Sequence, residues 1–386
     1  ERMPLKIAGV IAEYNPFHNG HQYHIEMTRE RTGCDFVVAA MAGHFTQRGE
    51  PAALSKWARA RMALSSGADA VFELPALFAV RTADWFALGG VAVLDGLGCD
   101  FLSFGSEADD MALLSRLSDV RMREPGDVSE GVRKRLDLGM SHARARGEAV
   151  AEHLNLQPGA LNLPNATLAV EYLSAIQKLG AAIEPVIIKR RNDYHGTELS
   201  KICSATAIRR ALALGEDASF AVPEACRGML PAAPRLPLDM LALHRLRQGN
   251  LSLPDAGEGL DRLLSRAARE SGTLEELIGR VKSRRYTRAR ITRAVAHALG
   301  DLTAELAGAI GRPPYARLIG MRSGARPLMK ELSGRAAIAI ASDPAELAGD
   351  ACFRLECRFT DVWALGEPYP EARRAGREFT EKFVLV

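Results

Sequence analysis

The sequence predicts an α/β fold, with a parallel sheet over about residues 3–215 and a mostly helical region over 216–386. Three observations predict it. Compact apolar runs alternate with helix-spaced segments through the first half, the pattern of a parallel sheet covered on both faces. Most polar motifs fall just after one of those runs, where the carboxyl ends of such strands bind ligands. Four prolines, Pro223, Pro231, Pro234 and Pro237, then mark a domain edge beyond which helical spacing dominates.

The elements follow in order. Residues 5–11 (LKIAGVI) read as a buried strand, followed by a loop with proline and glycine and a helix through about Arg31. Residues 35–41 (DFVVAAM) form the second strand, and 55–66 show helical spacing with Ser55 as a candidate N-cap. Strands are expected at 70–74 and 100–104, with a helix over 82–94 between them. Helical, charged segments fill 109–123 and 128–155. A helix over 165–179, a fifth strand over 183–189 and a helix over 204–214 close the first half. Residues 239–310 read as helical with a break at 254–259, and 336–386 mixes short apolar runs with helix.

Bulk properties narrow the class. The 386 residues are 47% hydrophobic and 25% charged, the profile of a soluble globular chain. A formal net charge of +3 does not itself announce nucleic acid, so local clusters matter more. The six cysteines form no C-x-x-C pair, which argues against a zinc ribbon or disulfide framework and fits reduced thiols in the cytoplasm. No apolar run reaches the roughly 18 residues a membrane span needs, and no signal-peptide pattern opens the chain. A cytoplasmic location is therefore expected.

The most informative stretch follows the first strand: Glu13-Tyr14-Asn15-Pro16-Phe17-His18-Asn19-Gly20-His21. Pro16 stiffens the loop and Gly20 admits close approach of a ligand. His18 and His21 are three apart and share one face of a helix that starts there. The N-terminus of that helix attracts phosphate. Either histidine alone is an ordinary loop residue. Two of them in this turn suit attack on a nucleotide α-phosphate, where the protein positions reactants and neutralises developing charge. With His24 they also have H-x-x-H-x-x-H spacing, but no more than two can share a helix face well, so no metal site is assigned.

This stretch resembles the F-D-P-x-x-x-G-H signature of the HxGH nucleotidyltransferase superfamily, with Tyr14 and Asn15 in place of Phe and Asp. The longer string EYNPFHNGHQYH is similar to that of the bacterial tRNA(Met) cytidine acetate ligases. Further matches are MAGHFTQRGEPA (41–52), SKWARARMAL (55–64), GADAVFELP (67–75), FGSE (104–107), SATAIR (204–209) and RRYTRARI (284–291). The resemblance implies a Rossmann-like catalytic domain of the HxGH nucleotidyltransferase type. It implies that His18 and His21 stabilise phosphoryl transfer. ATP would be held by Ile11, Ala12, Glu13, Tyr14, Asn15, Pro16, Phe17, Asn19, Gly20 and His24, and by Gly105, Asn165, Arg190, Arg191, Ser204, Thr206 and Arg209. Magnesium is expected to accompany ATP. The implied reaction joins acetate to ATP as acetyl-adenylate, then acetylates N4 of the wobble cytidine of elongator tRNA(Met).

Other features fit around this core. Ser204 or Thr206 can cap a helix and leave amides for phosphate, with Arg209 one turn along. Residues 43–49 suit the acceptor side, where acetate would lie, and Ser55 and Lys56 are within expected reach of the site. Lys282, Arg284, Arg285, Arg288, Arg290 and Arg293 form a basic run around Tyr286. On one helix they would make two basic stripes for RNA phosphates, with Tyr286 stacking on a base. A rival reading is a nucleotidyltransferase making a dinucleotide or pantetheine-type cofactor without RNA. It shares the histidine motif and leaves the basic run and long helical half without a role.

Overall fold

The computed structural model describes residues 4–107, 109–140, 142–157, 164–189, 200–257 and 259–386. The chain begins with β1 (Ile7–Ala12), α1 (Asn19–Thr32), β2 (Phe36–Ala42), α2 (Lys56–Ser65), β3 (Ala70–Leu74), a short α3 (Ala76–Ala79), α4 (Ala83–Gly96) and β4 (Phe101–Ser106). Next come α5 (Met111–Met122), α6 (Gly126–Asp137), α7 (His142–His153), α8 (Pro164–Leu179), β5 (Glu184–Lys189) and α9 (Ala205–Ala213). The helical stretch expected over 128–155 is thus divided between α6 and α7.

Strands β5, β4, β1, β2 and β3 lie side by side in that order, all parallel. Because β1 is central, the chain leaves it in one direction for β2 and β3 and then returns across it to β4. That reversal opens a crevice at the carboxyl ends of β1 and β4, the usual ligand position in such sheets. Alternate strand residues face opposite ways. Ile7, Val38, Phe72 and Leu102 join one core with α4, α5 and α8, while Ala8, Val37, Ala39 and Val71 join another with α1, α2 and α9. Burial on both faces explains why these strands read as unbroken apolar runs.

The second half contains α10 (Asp239–Arg247), α11 (Leu260–Arg269), α12 (Leu274–Val281), α13 (Arg288–Gly300) and α14 (Ala304–Ala309). Helices α10 to α13 surround their own core of Leu243, Leu246, Leu264, Leu277 and Ile291. The chain then departs from a purely helical continuation. Strand β6 (Tyr315–Met321) enters the sheet antiparallel to β3, followed by α15 (Arg326–Arg335), β7 (Ala339–Ala341), α16 (Pro344–Leu347), α17 (Ala351–Ala364), α18 (Arg377–Thr380) and β8 (Val384–Leu385). Both β7 and β8 pair with β6. The last seventy residues therefore complete the sheet that the first seventy begin. Among the described residues no helix is long and apolar enough to cross a membrane, and all six cysteines are free.

A buried ionic cluster joins these distant segments. Lys56 on α2 contacts Glu73 on β3, Glu356 on α17 at 3.2 Å and Glu378 on α18 at 2.6 Å. Arg317 on β6 contacts Glu73 and Glu378. Lys56, Glu73 and Glu356 are wholly buried. Burial opposes the Lys56 charge, but the three glutamates outweigh it and raise its pKa. His44, Glu356 and Glu378 bring ligand atoms within 4.8 Å of one another, a spacing that resembles a metal site. The Lys56 ammonium supplies the positive charge there. Lys56 is accordingly a structural counter-ion and does not extend to the crevice, contrary to the sequence expectation.

Three carboxylates against two cations leave room for one proton. Burial, reinforced by Glu73 and Glu378 and opposed by Lys56, pushes the Glu356 carboxyl up to about 8. The folded state thus keeps a proton that the unfolded chain releases near the ordinary value of 4.5. This group's contribution is full below that value and is lost as pH rises through about 8. Glu356→Gln is therefore expected to gain stability relative to the parent as pH rises from about 5 to 8. Urea unfolding across that range reads the difference, and a constant offset between the two proteins would contradict it.

Candidate active site

The crevice at the sheet's switch point is a cavity of about 280 Å³. Its floor is the end of β1 and the turn after it. Tyr14 has φ 50, a left-handed conformation that disfavours a bulky side chain, so the surroundings must hold it. Arg59, 1% exposed on α2, supplies much of that restraint. Its guanidinium donates to the carbonyls of Glu13, Ala42, Gly43 and Leu54, tying the ends of β1 and β2 together. Burial lowers its pKa to about 10, opposed by Glu13, Glu356 and Glu73, so it remains charged at neutral pH. Asn15 accepts from Ala53 N–H at 2.8 Å, and its carbonyl accepts from Arg209 Nη1 at 2.7 Å.

The turn delivers His18 to the N-cap of α1. His18 Nδ1 accepts from Gly20 N–H at 3.0 Å, and His21 Nδ1 accepts from His18 N–H at 3.3 Å. This reciprocal capping box satisfies helix-end amides with imidazole nitrogens instead of the usual hydroxyl and carboxylate. It also sets the chemistry. A neutral imidazole whose Nδ1 accepts carries its proton on Nε2. Both rings are therefore fixed as Nε2 donors. They stack with centroids 3.7 Å apart, and Tyr14 and Phe17 support His21 from the sides.

A second helix N-terminus faces the same space. Ser204 caps α9, accepting from Ala207 N–H at 3.1 Å, and Ser204, Ala205, Thr206 and Arg209 all line the cavity. Two helix ends and two imidazole donors thus converge on one volume, an arrangement suited to polyphosphate. Gly105 at the end of β4 and Lys189 at the end of β5 also line the cavity.

Other expected residues fall into three groups. Ile11, Ala12, Glu13, Tyr14, Asn15, Gly20 and His24 line the cavity. His24 Nε2 lies 3.1 Å from Ser103 Oγ, so it departs from any arrangement with the other two histidines as a metal triad. Pro16 and Phe17 are buried beneath the turn, and Asn19 donates to the carbonyls of Lys201, just before α9, and Phe220, beyond its end. These three do not line the cavity and act through the loop. The side chain of Asn165 and all of Arg190 and Arg191 lie outside the described residues.

The loop after β2 contributes Thr46, Gln47, Arg48 and Glu50 to the wall, while His44 is buried against Trp57 and Trp363. Gln47 N–H donates to Glu13 Oε1 at 2.7 Å. Burial raises the Glu13 carboxyl, opposed by that hydrogen bond and by Arg209, Arg59 and Arg48. Gly49 has φ 78, and a β-carbon there would sit 2.5 Å from the Thr292 backbone. Thr292 Oγ1 also donates to the Arg48 carbonyl. The wall loop is thereby seated on α13. Phe86 on α4 and Tyr172 on α8 also line the cavity, and no motif in the sequence singled them out.

The basic run is not one helix. Helix α12 ends at Val281 and α13 starts at Arg288, with Thr287 as its N-cap, so residues 282–287 form a connection. Lys282, Arg284, Arg285 and Arg288 are exposed, and Arg288 pairs with Glu275. Arg290 lies over the Tyr286 ring, and Arg293 is largely buried near Asp255. Tyr286 is 7% exposed within the α10–α13 core, so its ring is not presented for stacking on a base. The surface charge expected from the sequence is present. The two stripes and the stacking tyrosine are not.

Fold and site together define a HIGH-type nucleotidyl transferase, and a family described as HIGH Nucleotidyl Transferase matches residues 5–378. The tRNA(Met) cytidine acetate ligase of Acetivibrio thermocellus is 33% identical over 99% of this chain and 100% of its own length. That of Syntrophomonas wolfei is 35% identical over 97% of this chain and 98% of its own. The crystal structure of apo Thermotoga maritima TmcAL superposes with a TM-score of 0.91 at 28% identity, covering 99% of this chain and all of that one. TmcAL bound with alpha-thio ATP gives 0.89 at the same identity and coverage. The chain belongs to the tRNA(Met) cytidine acetate ligase family.

Gly20 offers a test of the imidazole arrangement. An added β-carbon would lie 2.9 Å from His18 Cε1 and displace the ring, while alanine favours the helix itself. Gly20→Ala is expected to weaken ATP-analogue binding by roughly 10-fold, about 1.4 kcal/mol. Its thermal midpoint should remain near that of the parent. Calorimetric titration and a melting curve check both.

Proposed function

We propose that this chain is an ATP-dependent ligase that forms acetyl-adenylate from acetate and ATP and transfers the acetyl group to N4 of the wobble cytidine of elongator tRNA(Met). The observation that carries the first step is the convergence of two helix N-termini with two Nε2-donor histidines on one cavity. Acetate oxygen attacks the α-phosphorus, the bond to the β-phosphate bridging oxygen breaks, and pyrophosphate leaves. His18 and His21 donate to the phosphoryl oxygens as charge develops, and the amides at the two helix ends, with Arg209 nearby, receive the polyphosphate. Every one of these groups is fixed before reaction, so little reorganisation opposes the step.

Magnesium would enter with ATP. The carboxylates lining the cavity among the described residues are Glu13 and Glu50, and Glu13 already accepts from Gln47 N–H. They form no cage, so phosphate oxygens and water would hold the ion. The exposed cations between α12 and α13 would meet RNA phosphates, and the family's named substrate supports that assignment over a cofactor-making reading. A reaction on tRNA fits a cytoplasmic location.

Incubation with ATP, carbon-labelled acetate and bulk tRNA is expected to yield labelled tRNA, and nuclease digestion should recover the label as N4-acetylcytidine. Label that stays off RNA would reject the reading. Replacing Arg284 and Arg285 together with Glu is expected to weaken tRNA binding and reduce its salt dependence. Each lost phosphate contact should flatten the slope of log K against log salt by about 0.7–0.9. Filter binding across a salt series measures it; an unchanged slope would remove this segment from the RNA surface.

A further inference from the structure

Transfer to a cytidine poses a chemical demand that adenylate formation does not. The exocyclic amine of cytosine delocalises its lone pair into the ring and is a weak nucleophile. It must lose a proton as the C–N bond forms. A base near the acyl carbon is therefore needed, and the groups lining the cavity can be sorted for that role.

His18 and His21 are excluded by their hydrogen bonds. The Nδ1 atom of each accepts a backbone N–H, so Nε2 carries the proton and each ring is a donor. Glu50 lies 3.9 Å from Arg209 and its side chain is 44% exposed, at the rim. His24 is bonded to Ser103. Glu13 remains. It follows the end of β1, lines the cavity with both helix N-termini and the 46–50 wall loop, and has one carboxylate oxygen anchored by Gln47 N–H. The wall loop in turn rests on α13, whose N-terminal approach carries the exposed basic residues. Glu13 is thus tied through the wall loop to the side of the cavity that adjoins the basic surface.

We propose that Glu13 is the general base of acyl transfer, accepting a proton from N4 of the acceptor cytidine. This inference rests on the ligase reading above. N4 attacks the carbonyl carbon of acetyl-adenylate, the C–O bond to the AMP phosphate breaks, and AMP departs with the bond electrons. The N4 proton passes to the Glu13 carboxylate, giving N4-acetylcytidine, AMP and a protonated Glu13 that later releases its proton to water. A carboxylate is also the natural acceptor for a cytosine amino group, so the same residue favours cytidine over uridine. Burial raises the Glu13 carboxyl toward the working pH, against the opposing charges of Arg209, Arg59 and Arg48, which suits a base.

Glu13→Gln keeps an acceptor for Gln47 N–H and removes the base; Glu13→Asp keeps a base on a shorter arm. The full chain is assayed for acetyl transfer to tRNA in single turnover across pH, and for acetohydroxamate formation with hydroxylamine, a strong nucleophile that needs little help from a base. The parent's transfer rate is expected to rise with pH to a plateau. Glu13→Gln should lower transfer by about 100-fold or more and abolish that rise, a loss within the 10²–10⁴ range of general-base catalysis. Hydroxamate formation should fall by less than about 10-fold, and Glu13→Asp should recover part of the transfer with its pH dependence. Equal losses with both acceptors, or transfer by Glu13→Gln at the parent's rate, would overturn the assignment. A parent protein that makes hydroxamate but never labels tRNA would instead overturn the ligase reading itself.

Discussion

Two hydrogen bonds from backbone amides to imidazole nitrogens govern the rest of this site. They close the first turn of α1, and in the same act they settle which nitrogen of each histidine bears a proton. A helix cap built from hydroxyl and carboxylate would satisfy the amides equally well but would place a negative charge beside an anionic substrate. Using histidine at both positions turns an ordinary helix start into a charge-stabilising surface. The cost is a turn with Tyr14 in the left-handed region, and Arg59 and Arg209 hold that turn from beneath and from the side.

The helical unit is coupled to the crevice through the 46–50 loop. One side of this loop lines the cavity and contacts Glu13; its other side lies on α13 without space for a β-carbon at Gly49. Arg81 strengthens the same junction by its paired hydrogen bonds to Asp255, at 2.9 and 3.1 Å, and His297 meets the Val80 carbonyl at 2.7 Å. Burial lowers the His297 pKa to about 4, so the ring stays neutral within that seam. The surface that would hold a large polyanion and the wall that would hold the acyl acceptor are therefore joined by direct contacts.

At the far side of the sheet, charge performs a different task. Lys56, Arg317, Glu73, Glu356 and Glu378 come from five elements and meet without water-exposed surface. Such a cluster gives little net stability compared with an apolar filling, yet breaking one member leaves an uncompensated charge. Its effect is selective: only the arrangement with α17, α18 and β6 in place satisfies all five. It closes the sheet around residues separated by three hundred positions.

The sequence alone determined much of the catalytic half. Apolar runs long enough to be buried on both faces marked β1 to β5, Ser55 announced its helix as N-cap, and of the two candidates Ser204 and Thr206 the structure uses Ser204. The turn from Glu13 to His21 was legible because proline, glycine and two histidines sit together at a strand end, a local pattern. Tertiary structure decided what depends on partners distant in the chain. Strand β6 was hidden because Arg317 and Gly320 interrupt its apolar character, and only Glu73 and Glu378 make Arg317 an interior residue. Lys56 looked like a site residue until those same glutamates enclosed it, and Tyr286 looked like an RNA contact until the α10–α13 core took it in. Tautomer and burial belong to this second class as well: spacing can bring two imidazoles to one face, but only the folded turn chooses which of their nitrogens gives a proton.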